Sequence, residues 1–181
     1  MNQKGQGLIE ALIALGAAVI IIAAMTIAVI TALNNVDFSS YQNLATNYAQ
    51  QGIEIVQQKS QLSWTDTSKY QGIYCLPQGV TNVVSIPAGE DCPVNVANKF
   101  VRELDFMKIT PQLDCTNSTT PCCFQGPQNI NCALTPELCS SQVNVTVKWT
   151  DGKCSSSSDF CHQVVLNSCI MDIYRDIIPT P

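Results

Sequence analysis

The chain has 181 residues, enough for one compact domain once a long apolar segment is set aside, and too few for two full ones. Its 9 Lys plus Arg against 14 Asp plus Glu give a formal charge of -5 with no basic run, which excludes nucleic acid as a partner. Ten cysteines accompany a single histidine, and no CxxC occurs among them, so the spacing argues against a zinc site and no cofactor is expected.

In chain order, Met1-Asn2-Gln3-Lys4-Gly5 leads into Gln6-Gly7-Leu8-Ile9-Glu10, and then into an apolar run from Ala11 to Leu33 that contains no Asp, Glu, Lys, Arg, Asn or Gln. That run is long enough to span a membrane. It is too long for the core of a secretory signal, and Thr31-Ala32-Leu33 continues into Asn34-Asn35-Val36-Asp37 without a small-residue cleavage pattern, so the helix is expected to be kept. Lys4 on the short N-terminal side keeps that end cytoplasmic under the positive-inside rule and sends the rest of the chain outward. The cysteines agree. Cys75, Cys92, Cys115, Cys122, Cys123, Cys132, Cys139, Cys154, Cys161 and Cys169 all follow the apolar run, where an oxidising compartment would join them as disulfides.

Glu10 is a carboxylate at the front of an apolar helix. One reading is a flanking charge that reaches the headgroups; the other requires a cationic partner. A short basic leader ending in Gly5, four residues, Glu10 and more than twenty apolar residues resemble the N-terminus of type IV prepilins. The resemblance implies that a prepilin peptidase cuts after Gly5, that the new amine of Gln6 is methylated, and that subunits polymerise through the N-terminal helix with the help of inner-membrane assembly machinery. It also supplies the partner: the Gln6 ammonium of a neighbouring subunit, an opposite charge that would favour ionised Glu10 at about 4–6 Å. Gln6 and Gly7 stand where the family commonly has Phe and Thr.

Beyond the apolar run, Val36, Tyr41, Leu44, Tyr48, Ile55 or Val56, and Leu62 recur at helical spacing. One helix is predicted from about Leu8 to about Gln61, roughly 80 Å at 1.5 Å per residue. The stretch Ala49-Gln50-Gln51-Gly52-Ile53-Glu54-Ile55-Val56 resembles one seen in minor pilins, with Gln51 in place of a Glu.

The remainder reads as strand and loop. Lys99 to Ile109 carries Phe100, Leu104 and Phe106 on one face, Val143 to Thr150 alternates strictly, and Gln163 to Tyr174 is the returning strand. Residues 110 to 142 form a cysteine-bearing loop; adjacent Cys122 and Cys123 are expected to pair with distant cysteines, and Cys154 with Cys161 to close the last hairpin.

The fold class predicted is α+β: a long N-terminal helix, membrane-spanning in its first half, packed on a small antiparallel sheet with disulfide-rich loops. The divisions are residues 1–5 as leader, 6–33 as the membrane and polymerisation half, 34–62 as the amphipathic half, and 63–181 as the head. No catalytic constellation is present in the sequence. The function expected is that of a structural subunit of a type IV pilus or related filament, a minor pilin or pseudopilin, found in the membrane before assembly and in an extracellular filament or the periplasm after it. The alternative is a monomeric, single-pass anchored binding module with a disulfide-rich extracellular head.

Overall fold

A computed structural model of the protein describes residues 6–80, 83–85, 92–110, 131–132, 134–135, 138–151, 154 and 160–172. Helix α1 is Gln6–Leu62 and α2 is Trp64–Thr67; the strands are β1 (Gly72–Cys75), β2 (Val84–Ser85), β3 (Phe100–Ile109), β4 (Ser140–Trp149) and β5 (His162–Ile170). The chain divides into two units, Met1–Tyr41 and Gln42–Pro181, and α1 runs through both.

In the first unit α1 is apolar from Ala11 to Leu33 and exposed over that whole stretch. Its two threonines sit in the apolar run because each hydroxyl is satisfied within the helix: Thr26 donates to the Ile22 carbonyl and Thr31 to the Ile27 carbonyl, both at 2.9 Å. The helix ends without glycine or proline. Lys59 in the last turn favours the negative end of the helix dipole, Ser63 donates its backbone N–H to the Lys59 carbonyl at 3.0 Å, and extended backbone at Ser63 (φ -152°) turns the chain into α2.

The second unit is one antiparallel sheet, in the order β2-β1-β3-β4-β5, with the last part of α1 laid on one face. The register sets Phe100 opposite Trp149, Arg102 opposite Val147, Leu104 opposite Val145, and Phe106 opposite Val143. All eight are at most 2% exposed, so this layer is the core, each large apolar side chain contributing about 1.5–3 kcal/mol by burial. Tyr70, Tyr74 and Phe106 extend it, their ring centroids 5.1–5.5 Å apart. On the opposite face Val101 packs with the Cys75–Cys92 disulfide and Phe160, while Lys148 and Glu103 pair at 2.7 Å.

The helix meets the sheet through Ala45, Ala49, Gly52 and Val56, spaced four, three and four residues apart, all buried. The stripe expected from the larger side chains holds at Val56, 3% exposed, and fails at its ends, where Val36 is 64% and Leu62 80% exposed. Tyr48 does contribute, its ring 5.2 Å from Phe100. The helix approaches too closely for a row of large side chains, so small ones carry the contact. A Cβ on Gly52 would lie 2.9 Å from Cγ1 of Val145 and 3.3 Å from Cδ of Arg102.

Candidate functional site

The most unusual surface belongs to the first unit. The large apolar side chains from Leu8 to Val36 are each between 53% and 71% exposed, on every side of the helix. The most apolar 18-residue window has a mean hydropathy of 2.8 and none of it is buried, so the helix is long and apolar enough to cross a membrane. A helix apolar all round needs lipid or other helices about it. Gln6 is the first helical residue and Glu10, one turn later, is exposed; Gly5, the expected cleavage position, lies outside the described residues. Gly7 and Gly16 have nothing within 4 Å of where a Cβ would stand, unlike Gly52.

The second unit is organised by a buried cation that sequence reasoning missed. Arg102, 1% exposed, donates from Nε to the Leu76 carbonyl at 3.0 Å, from Nη1 to the Tyr48 carbonyl at 3.0 Å, and from Nη2 to the Pro77 carbonyl at 3.3 Å. One side chain thereby joins α1, the segment after β1, and β3. Burial pushes its basicity below the ordinary arginine range, and among the described residues no carboxylate pairs with it. The Asn95 amide grips the backbone at the same point, accepting from Arg102 N–H at 2.9 Å and donating to its carbonyl at 3.1 Å. The only available sequence signal was parity: Arg102 lies between Phe100 and Leu104 on the apolar face of its strand.

A second cation, Lys108, donates to the Ser68 carbonyl and to Ser141 Oγ, the latter at 2.8 Å. Partial burial lowers its pKa to about 8. Both cations attach what precedes β3 to the sheet, Arg102 by reaching the helix and Lys108 by reaching the turn after α2.

Three disulfides are described: Cys75–Cys92, Cys132–Cys139 and Cys154–Cys161; Cys169 is also disulfide-bonded. The Cys154–Cys161 bridge expected from the sequence is therefore found, between β4 and β5. Cys115, Cys122 and Cys123, with the pairings expected for the latter two, lie outside the described residues. Around the Cys154–Cys161 bridge the turn collects further donors. Asp151 Oδ2 is 3.1 Å from His162 Nε2, Thr150 Oγ1 is 3.1 Å from Cys154 Sγ, and the Trp149 ring faces His162 with centroids 5.5 Å apart. The lack of CxxC had argued against such a cluster. The pairing of Trp149 with His162 across the hairpin creates it from residues separated in sequence.

No family model matches the chain, and no curated protein or solved structure shows significant similarity to it.

Proposed function

We propose that the chain is a structural subunit of a type IV pilus-like filament, of the minor pilin or pseudopilin kind, without enzymatic activity of its own. The observation that carries this reading is the helix surface from Leu8 to Val36, apolar on every side and uncovered, with one carboxylate at its front. Such a surface is stable in lipid and equally in a bundle of like helices, and a subunit moved from membrane to filament needs both. In this reading prepilin peptidase cuts after Gly5 on the cytoplasmic side, and Glu10 pairs with the Gln6 amine of another subunit, fixing the axial register. The inner-membrane assembly machinery then draws the subunit out of the bilayer, with the disulfide-bonded head on the outer side throughout.

Replacing Glu10 separates the filament subunit from the monomeric anchor. Glu10→Val removes a charge from an apolar segment, so membrane insertion is kept or improved; it also removes the partner of the Gln6 amine, so incorporation into filaments falls. Incorporation is measured by immunoblotting sheared filament fractions against membrane fractions. Loss from filaments with retention in membranes is the expected result, and unchanged incorporation removes the assembly role assigned to Glu10.

A further inference from the structure

We propose that Asp151, Cys154, Cys161 and His162 form a Zn2+ site when the Cys154–Cys161 disulfide is reduced. Each of the four offers one ligand atom, and all four atoms lie within 4.8 Å of one another. Two sulfurs, one imidazole nitrogen and one carboxylate oxygen are a donor set suited to this borderline-soft cation. With zinc–sulfur bonds of about 2.3 Å and zinc–nitrogen bonds of about 2.0 Å, the edges of a tetrahedral site measure roughly 3.3–3.8 Å. Once the sulfur–sulfur bond of about 2 Å is broken, the two sulfurs must part to about 3.8 Å while the widest pair closes by about 1 Å, on a turn whose two ends the β4–β5 pairing already fixes.

The surroundings favour the site. Trp149, 1% exposed, gives His162 a rigid wall, and the Trp149–His162 pairing sets where the imidazole leaves the strand. The Asp151 carboxylate already contacts the imidazole, so it can ligate directly or orient the ring, as carboxylates beside metal-bound histidines do. Thr150 reaches Cys154 Sγ and can support a thiolate there.

Among the three described bridges, access favours this one. Cys161 is exposed and Cys154 half-buried, whereas Cys75, Cys92 and Cys139 are 6%, 4% and 2% exposed and Cys132 is half-buried. A dithiol supplies two electrons and two protons: the Cys154–Cys161 sulfur–sulfur bond breaks, both sulfurs become thiols, and the reductant closes to its own disulfide. On binding, the two thiol protons pass to solvent and the cation holds both thiolates. The same hairpin is thus closed by a covalent bond when oxidised and by a cation when reduced, a state available to the newly made chain before its cysteines are oxidised. The inference does not rest on the filament reading.

The test uses the full chain in detergent. Mild dithiol treatment is followed by alkylation mapping, to establish free thiols at Cys154 and Cys161, and then by titration with Co2+ as a spectroscopic stand-in for Zn2+. The expected result is a thiolate-to-cobalt charge-transfer band with tetrahedral ligand-field absorption, absent from the oxidised chain and from the Cys154→Ser/Cys161→Ser double variant. His162→Gln and Asp151→Asn leave the disulfide intact in the oxidised protein, so folding is checked there before reduction. Each should weaken Co2+ binding by at least about 10–100-fold, the loss that even non-ligating supporting groups cause at metal sites. Absence of the band with both thiols free overturns the proposal, as does a band whose titration neither variant changes.

Discussion

Gly52 and Arg102 meet where the helix lies on the sheet, and each can be tested by a single substitution. An alanine at Gly52 gains about 1 kcal/mol of helix propensity but drives a methyl into Val145 and the Arg102 stem, and overpacking costs about 1–3 kcal/mol. Neither neighbour is a free chain end: Val145 is in the middle of the core and Arg102 is fixed by three carbonyls. Gly52→Ala is therefore expected to lower head stability by about 1 kcal/mol in thermal unfolding followed by near-ultraviolet circular dichroism, to which buried Trp64 and Trp149 report. A stabilised variant would mean that the helix does not approach β4 so closely. At Arg102, lysine keeps the charge and much of the stem but cannot fork to three acceptors. Charge-assisted bonds contribute about 1.5–3 kcal/mol each, so Arg102→Lys should cost about 2–4 kcal/mol in the same assay, and an unchanged midpoint would deny Arg102 its joining role.

The elements were legible to different degrees, for physical reasons. The long helix and three long strands were legible: α1 was expected over about 8–61 and is Gln6–Leu62, the strand expected at Lys99 to Ile109 is Phe100–Ile109, and the returning strand expected at Gln163 to Tyr174 is His162–Ile170, with Met171 and Asp172 already outside it. The strand expected from Val143 begins earlier, at Ser140, because Ser140, Ser141 and Gln142 are polar yet buried, all three paired with β3 and the latter two with β5 as well. The short strands β1 and β2 and the one-turn helix α2 went unread, since two to four residues are too few to show a period. The helix stripe was legible at Tyr48 and Val56 but not at Ala45, Ala49 and Gly52, because alanine and glycine give little apolar signal although they make the closest contact. The candidate assembly helix was legible in full; the Arg102 hub and the Asp151–His162 cluster were not, because both arise from strand register.

The attachment between elements also has a pH dependence. Lys108 bridges the turn after α2 to β3 and β4, and its folded pKa of about 8 lies below the ordinary 10.5. Between those values the unfolded chain binds more protons at this side chain than the folded one, so its contribution to stability grows as pH rises from about 8 to 10.5 and is lost as pH falls through 8. Lys108→Met removes this dependence. The stability of the parent relative to Lys108→Met should therefore rise across that window in denaturant titrations, and a difference independent of pH would show that Lys108 is not desolvated as described.

For the whole molecule, the central claim is that one chain serves first as a membrane precursor and then, after a cut, as a filament subunit. Its two units fit those demands separately: residues 1–41 carry an uncovered apolar helix, and residues 42–181 carry a disulfide-bonded sheet with its own core. Everything assigned to Glu10 depends on the amine that the proposed cleavage would create at Gln6. The most direct measurement is mass spectrometry of the N-terminal peptide from mature protein, beside the same analysis of Gly5→Val, in which added bulk should block the peptidase and leave a membrane-inserted precursor. A mature chain beginning at Gln6 is expected, and a Gly5→Val chain that keeps its leader. A mature pool that begins at Met1 or Asn2, or a Gly5→Val chain processed to normal size, would contradict the central claim.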